Sequence, residues 1–324
     1  MDHTARPAVV HPAGHDGDLR AAVEELRSGR WVAAREVLAR SRGDWPQWTR
    51  RTQVLGAVAA QSDVLRHWSA DEPDSPILLT LHARASVEGV LLAHQQQADE
   101  RLLAGWDAAA REACWRAAGI GVDPVPWICL LALAQLDIQQ ERMEHRVDPP
   151  DQMLLPGPWG LLEHTHRIDP WGREAYHRML RFWLAMGRTG AATNFLMHFL
   201  ASAPTGSALH ALPLHLHLER YRREPRKEAV LSQWSSDHVR RDVQSAYTHW
   251  RAAVGEHGRW PVADESLLAH ALWADHHLAE AAEVFASLGP FASWQPWATI
   301  AGDRERGYDL LHHAIAQCRR VAAF

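Results

Sequence analysis

Lysine is nearly absent from this chain of 324 residues. Lys227 is the only one, and every other basic side chain is arginine. The net charge of −5 leaves no global basic field to draw in nucleic acid. Cysteine is scarce as well. Cys114, Cys129 and Cys318 are an odd number, far apart, without C-x-x-C spacing. That argues against a disulfide framework and fits a reducing compartment, so a cytoplasmic location is expected. No run approaches ~18 consecutive apolar residues, so no membrane span is expected. The opening MDHTARPAVVHPAGHDGD has no apolar core and does not read as a signal peptide. Val, Ile and Thr never gather into alternating runs, which argues against strands. A nucleophile elbow, an HExxH pair, a Walker loop and a dinucleotide glycine fingerprint are all missing. No cofactor or metal is therefore assigned.

What is present is helix after helix. Pro170 and Pro204 lie 34 residues apart and enclose two helix-sized segments. Trp171 to Met186 carries Tyr176, Met179, Leu180, Trp183 and Leu184 at helical spacing. Gly187-Arg188-Thr189-Gly190 breaks it, and Ala191 to Ala203 forms the second segment. The same frame recurs. Gly29 is followed by Trp31, Ala34, Leu38 and Pro46; Gly187 by Thr189, Ala192, Leu196 and Pro204; His276 by Leu278, Ala281 and Phe285. A small Ala lets two helices approach, and the apolar residue four later fills the gap between hairpins.

On these offsets the chain resembles the tetratricopeptide-repeat family, with divergent units. The resemblance implies an all-α, helical-hairpin solenoid of about six or seven hairpins, closed by a C-terminal capping helix at Tyr308–Val321. Residues 1–17, rich in Pro, Gly, His and Asp, read as a mobile tail. Residues 18–324 read as one solenoid, with the Pro-rich loop 147–158 as the point where it would subdivide. That loop holds four prolines and is long for a helix connection. Long helices are expected at Val125–Arg146 and Lys227–Glu256. The 16 tryptophans are well above the usual share. Trp115, Trp127, Trp183, Trp250 and Trp273 are expected to pack between hairpins, and Trp294 and Trp297 to stand exposed.

The family's first helices line a concave groove, and that face carries over to named positions here. It gives Glu174, His177 and Arg181 at i, i+3 and i+7, so one helix face presents all three. Neighbouring hairpins give His215 with Glu219, Gln135 with Gln139, and Arg84 with Glu88. An inward row of Arg, Gln, His and Glu suits a solvated groove better than a core. The bland alternative is a set of solvated helix faces. Two Glu-x-x-His pairs, Glu163/His166 and Glu174/His177, have metal-ligand spacing, but chance supplies such pairs in a chain with 22 histidines.

The reading that follows is a non-catalytic scaffold that holds a peptide or protein partner in a polar groove, with Arg181 pairing a carboxylate. The alternative is a small-molecule enzyme, metal-dependent or not, in the same groove, with His177 as base or ligand and loop 147–158 as a lid.

Overall fold

A computed structural model describes residues 8–225, 233–253 and 261–322. Among these the regular structure is helical, apart from the paired two-residue strands Val9–Val10 and Phe291–Ala292 and one isolated bridge between Val147 and Gly157. It divides into two compact units. One is Gly17–Phe199; the other joins Met1–Asp16 to Leu200–Phe324. The division therefore falls after Phe199 and not at the Pro-rich loop.

The 17–199 unit contains α1 (Gly17–Arg27), α2 (Val32–Ala39), α3 (Trp45–Ala59), α4 (Val64–Asp71), α5 (Pro76–Gln95), α6 (Glu100–Ala118), α7 (Val125–Leu133), α8 (Trp159–Ile168), α9 (Arg173–Ala185) and the body of α10 (Thr189–Leu200). Helix α5 packs against α3, α6 and α7 and is the centre of this unit. It is long and apolar enough to cross a membrane by length and composition alone, although 56% of that window is buried inside the protein. Its apolarity is that of a core helix: Leu78, Leu81, Val87 and Val90 are buried together with Arg84.

The second unit contains β1 (Val9–Val10), α11 (Leu212–Arg223), α12 (Asp237–Ser245), α13 (Val262–Ala274), α14 (Leu278–Leu288), β2 (Phe291–Ala292), α15 (Trp297–Ala301) and α16 (Arg304–Ala322). Residues 8–16 are not a free tail. Val9 and Val10 pair in parallel with Phe291 and Ala292, Ala13 is fully buried, and the His15 ring bonds to the Ser287 carbonyl at 2.8 Å. Strand pairing, the buried Ala13 and the His15 bond hold this segment despite the disorder-prone composition around it. Around His270, the core gathers Trp234, Trp273 and Trp297 with ring centroids 5.1–5.9 Å away. Trp297, expected to be exposed, is 1% accessible, whereas Trp115, expected to be packed, is 46% accessible.

Three turns share one geometry. Gly29, Gly187 and His276 all have positive φ, at 79°, 70° and 62°. In each, the turn residue's N–H bonds three residues back and the next N–H bonds five back: Gly29 to Leu26 with Arg30 to Glu25, Gly187 to Leu184 with Arg188 to Trp183, His276 to Trp273 with His277 to Leu272. This is the Schellman helix stop, which satisfies carbonyls that the helix end would otherwise leave open. Gln97 ends α5 the same way, with φ of 59° and bonds from Gln97 to His94 and Ala98 to Ala93. Five residues past the first three turns, Ala34, Ala192 and Ala281 are fully buried.

Other boundaries differ from the sequence reading. Pro46, read as closing a hairpin, sits in the first turn of α3, where its missing N–H costs nothing and Asp44 caps the helix by accepting from the Gln47 N–H at 3.1 Å. The helix expected over Val125–Arg146 stops at Leu133. A 3-10 turn follows, and then Asp137 gathers the N–H groups of Glu141 and Arg142 and the His145 ring. That side-chain competition for backbone donors ends the helix. The helix expected over Lys227–Glu256 lies partly outside the described residues. Within them it is a 3-10 turn at Gln233–Ser235, then α12, then a π-helical turn at Ala246–Arg251.

Candidate functional site

The site is built where side-chain ion pairs join α5 to α9 inside the 17–199 unit; α7 packs against both helices. Arg84 and Glu88 are one turn apart on α5; Glu174 and Arg178 are one turn apart on α9. Arg84 donates to both carboxylate oxygens of Glu174, at 2.6 and 2.8 Å. Arg178 donates to Glu174 at 3.1 Å and to Glu88 at 2.6 Å. Two arginines and two glutamates thus alternate and cancel in charge. Arg84 is fully buried and Glu174 is 4% accessible.

Room for this network comes from α3. A Cβ on buried Gly56 would lie 2.2 Å from Arg84 Cγ, so the glycine lets the arginine stem pass. Burial works to raise the Glu174 carboxyl. The charges of Arg84 and Arg178 and their hydrogen bonds outweigh it, holding the group below the usual carboxylate range. Burial likewise opposes the Arg178 charge, and Glu88 and Glu174 overcome it. Arg84, Glu174 and Arg178 are each held in the charged form.

Above it opens a cleft of about 330 Å³. Gln61 just after α3, Glu88 and Gln95 of α5, Gln135 after α7, and His177, Arg178 and Arg181 of α9 line it, with Ala57, Ala60, Leu91 and Leu92 as its apolar part. Four residues named from the groove argument, Glu88, Gln135, His177 and Arg181, therefore meet at one cleft. Two others do not take the role expected of them. Arg84 and Glu174 are bonded to each other beneath the lining, so they form its foundation and offer no face to a ligand. The reason is register: Glu174 and Arg178 point at α5, whereas His177 and Arg181 are rotated around α9 toward the opening.

His215 and Glu219 belong to the other unit and to its own ion pairs. His215 bonds to the buried Asp264 at 2.8 Å. Glu219 is 5% accessible and is held by Arg222 and Arg223, each at 2.6 Å. Neither side chain is presented as an open groove residue. Gln139 is exposed and does not line the cleft, because α7 ends before it.

Sequence reasoning missed Gln61, Gln95 and Arg178 in the lining. Arg178 follows Glu174 by four, and that spacing was the available signal. It also missed the imidazole–carboxylate pairs His145–Asp137 and His217–Asp242, both at 2.7 Å. Burial pushes both rings down in pKa, against the raising effect of their aspartates. Among the described residues no group of three or more His, Cys, Asp or Glu is arranged to hold a metal ion. Of the two Glu-x-x-His pairs, Glu163 is paired with Arg167, His166 bonds to the Tyr176 hydroxyl at 2.8 Å, and Glu174 is consumed by the arginines. The Pro-rich loop is pinned at its ends: Val147 and Gly157 exchange backbone bonds of 3.0 Å, and Trp159 Nε1 donates to the Leu155 carbonyl at 2.8 Å.

Compared with protein-family models, curated proteins and solved structures, the chain gives no match.

Proposed function

We propose that this is a cytoplasmic binding protein of tetratricopeptide-like hairpins, and that it takes an acidic segment of a peptide or protein partner in the α3–α5–α9 cleft. The carrying observation is convergence. Gln135, His177 and Arg181 come from distant positions yet line one opening over a floor whose charges are already balanced. Arg84 and Glu174 cancel below, and the Arg181 guanidinium with the side chains of Gln61, Gln95 and Gln135 along the lining gives the opening a basic, polar character that suits an acidic segment. Three Schellman turns at the positions that the family frame equates, each followed by a buried Ala, support the hairpin-repeat reading. Three buried, unbridged cysteines support a reducing compartment. The net charge of −5 favours a protein partner over nucleic acid.

Affinity capture from the native host with wild-type and Arg181→Glu protein tests this reading. The expected result is a specific partner lost in Arg181→Glu while the thermal unfolding midpoint stays within error. Equal capture by both proteins refutes it.

One observation favours a second reading, a small-molecule enzyme with His177 as base. The cleft volume of about 330 Å³ is at the lower end of the small-ligand range. Copurification of a small molecule with no protein partner would select it.

A further inference from the structure

A second cavity, of about 300 Å³, lies in the same unit and is separate in its lining from the cleft above. It is bounded by the first turn of α3, the start of α5 and the turn between α6 and α7. Asp123 is its acidic wall. The Oδ1 atom accepts from Trp48 Nε1 at 3.0 Å and from the Val125 N–H at 2.8 Å, and Oδ2 accepts from the Thr80 hydroxyl at 2.8 Å. These bonds fix the carboxylate against α3, α5 and α7. They leave Oδ2 with one bond, where a carboxylate oxygen accepts two.

The neutral donors do not compensate the charge. Burial pushes the Asp123 carboxyl up even though Val125, Thr80, Trp48 and the more distant Arg84 charge all pull it down. A cationic group entering the cavity would supply what is missing.

The remaining lining suits the other end of such a ligand. Trp45 is half-buried at the cavity, and its ring can face a cation. Arg42 is exposed, lines the same cavity, and makes no ion pair among the described residues. The rim is apolar without being covered: Ile120 is 46% and Val122 73% accessible. A carboxylate, a guanidinium with no ion pair among the described residues, a tryptophan side chain and an aliphatic rim within one small volume match a molecule with both charges and an apolar side chain.

We propose that this cavity binds a small zwitterion of the α-amino-acid type, with its ammonium group on Asp123 Oδ2 beside Trp45 and its carboxylate on Arg42. The aliphatic rim selects amino acids with apolar side chains over glycine. The site is independent of the partner cleft, so either can fail without the other.

Isothermal titration of the full chain with a panel of free L-amino acids tests this. Ethylammonium chloride and sodium propionate serve as single-charge controls. The expected result is measurable binding of an apolar amino acid and none of either control. Arg42→Ala and Trp45→Ala should each weaken binding about tenfold or more, and Arg181→Glu should leave it unchanged. Arg42 is exposed, so its variant decides the matter even if Trp45→Ala folds poorly. The proposal is overturned if no amino acid binds, if ethylammonium binds as tightly as the amino acid, or if Arg42→Ala binds as wild type.

Discussion

Arg84 and Glu174 are 90 positions apart in the chain and are joined by two hydrogen bonds in a fully desolvated contact. A bidentate pair of this kind fixes the rotation of α9 against α5, and with it the direction in which His177 and Arg181 face.

Replacing Glu174 with Ala should therefore destabilise strongly. It leaves Arg84 and Arg178 buried with only Glu88 to share, a loss of about 3–5 kcal/mol for a broken buried pair. The double variant Arg84→Met, Glu174→Leu removes both charges and should recover most of that loss. Urea unfolding of the single and double variants checks this.

Gly56→Ala tests the space beneath the pair. In an unconstrained helix the change stabilises by roughly 1 kcal/mol. Here the new Cβ would meet Arg84 Cγ at 2.2 Å and Arg84 Cβ at 3.1 Å, inside a buried contact. The expected outcome is a net destabilisation of about 1–3 kcal/mol from overpacking, read from the same unfolding curves.

The Schellman turns make opposite predictions at equivalent positions. A Cβ at Gly29 or Gly187 meets nothing within 4 Å, so Gly→Ala there carries only the backbone cost of positive φ, about 1–2 kcal/mol. His276 already bears that cost and its side chain is exposed. His276→Gly should raise stability by roughly 0.5–1 kcal/mol, measurable as a higher melting temperature. A lower melting temperature would show that the imidazole does more than occupy a turn.

His270 should make its unit sensitive to acid. Burial among the tryptophans pushes its pKa down to about 3, against about 6.5 in the unfolded chain. Between those values the unfolded chain binds a proton that the folded chain refuses. Stability from this group is full above pH ~6.5 and falls as pH drops toward 3, by roughly 5 kcal/mol in all. The Nδ1 atom has no hydrogen-bond partner, so His270→Leu removes the titration without stranding a polar group. Denaturant unfolding at a series of pH values should show a flatter profile in that variant.

Much of the local structure was legible in the chain. Gly29 and Gly187 mark turns because positive φ costs glycine no steric penalty, and the Ala five residues later must be small wherever two helices touch. Even His276, of the wrong residue type, was readable from its register with Leu278, Ala281 and Phe285. The boundaries were less so. Pro46 and Pro204 look alike in sequence, but one opens a helix and the other follows one, and proline is compatible with both places. The helix through Val125 continued on propensity alone, since nothing nearby announced that Asp137 would draw the backbone N–H groups to itself.

The site divided along the same line. Spacing on α9 put His177 and Arg181 on a shared face, and both line the cleft together with Gln135. It could not tell that Glu174, three residues before His177, would turn inward to Arg84, or that His215 and Glu219 would be held by Asp264, Arg222 and Arg223 in the other unit.

What the residues determined by themselves is whatever is settled within one or two helical turns: helix, stop, reversal and the apolar stripe. Backbone sterics and capping bonds act at that range. Only the folded chain decided which polar groups are buried and which still face outward. A charge can leave water only when an opposite charge meets it there, and for Arg84 that charge is supplied from ninety residues away.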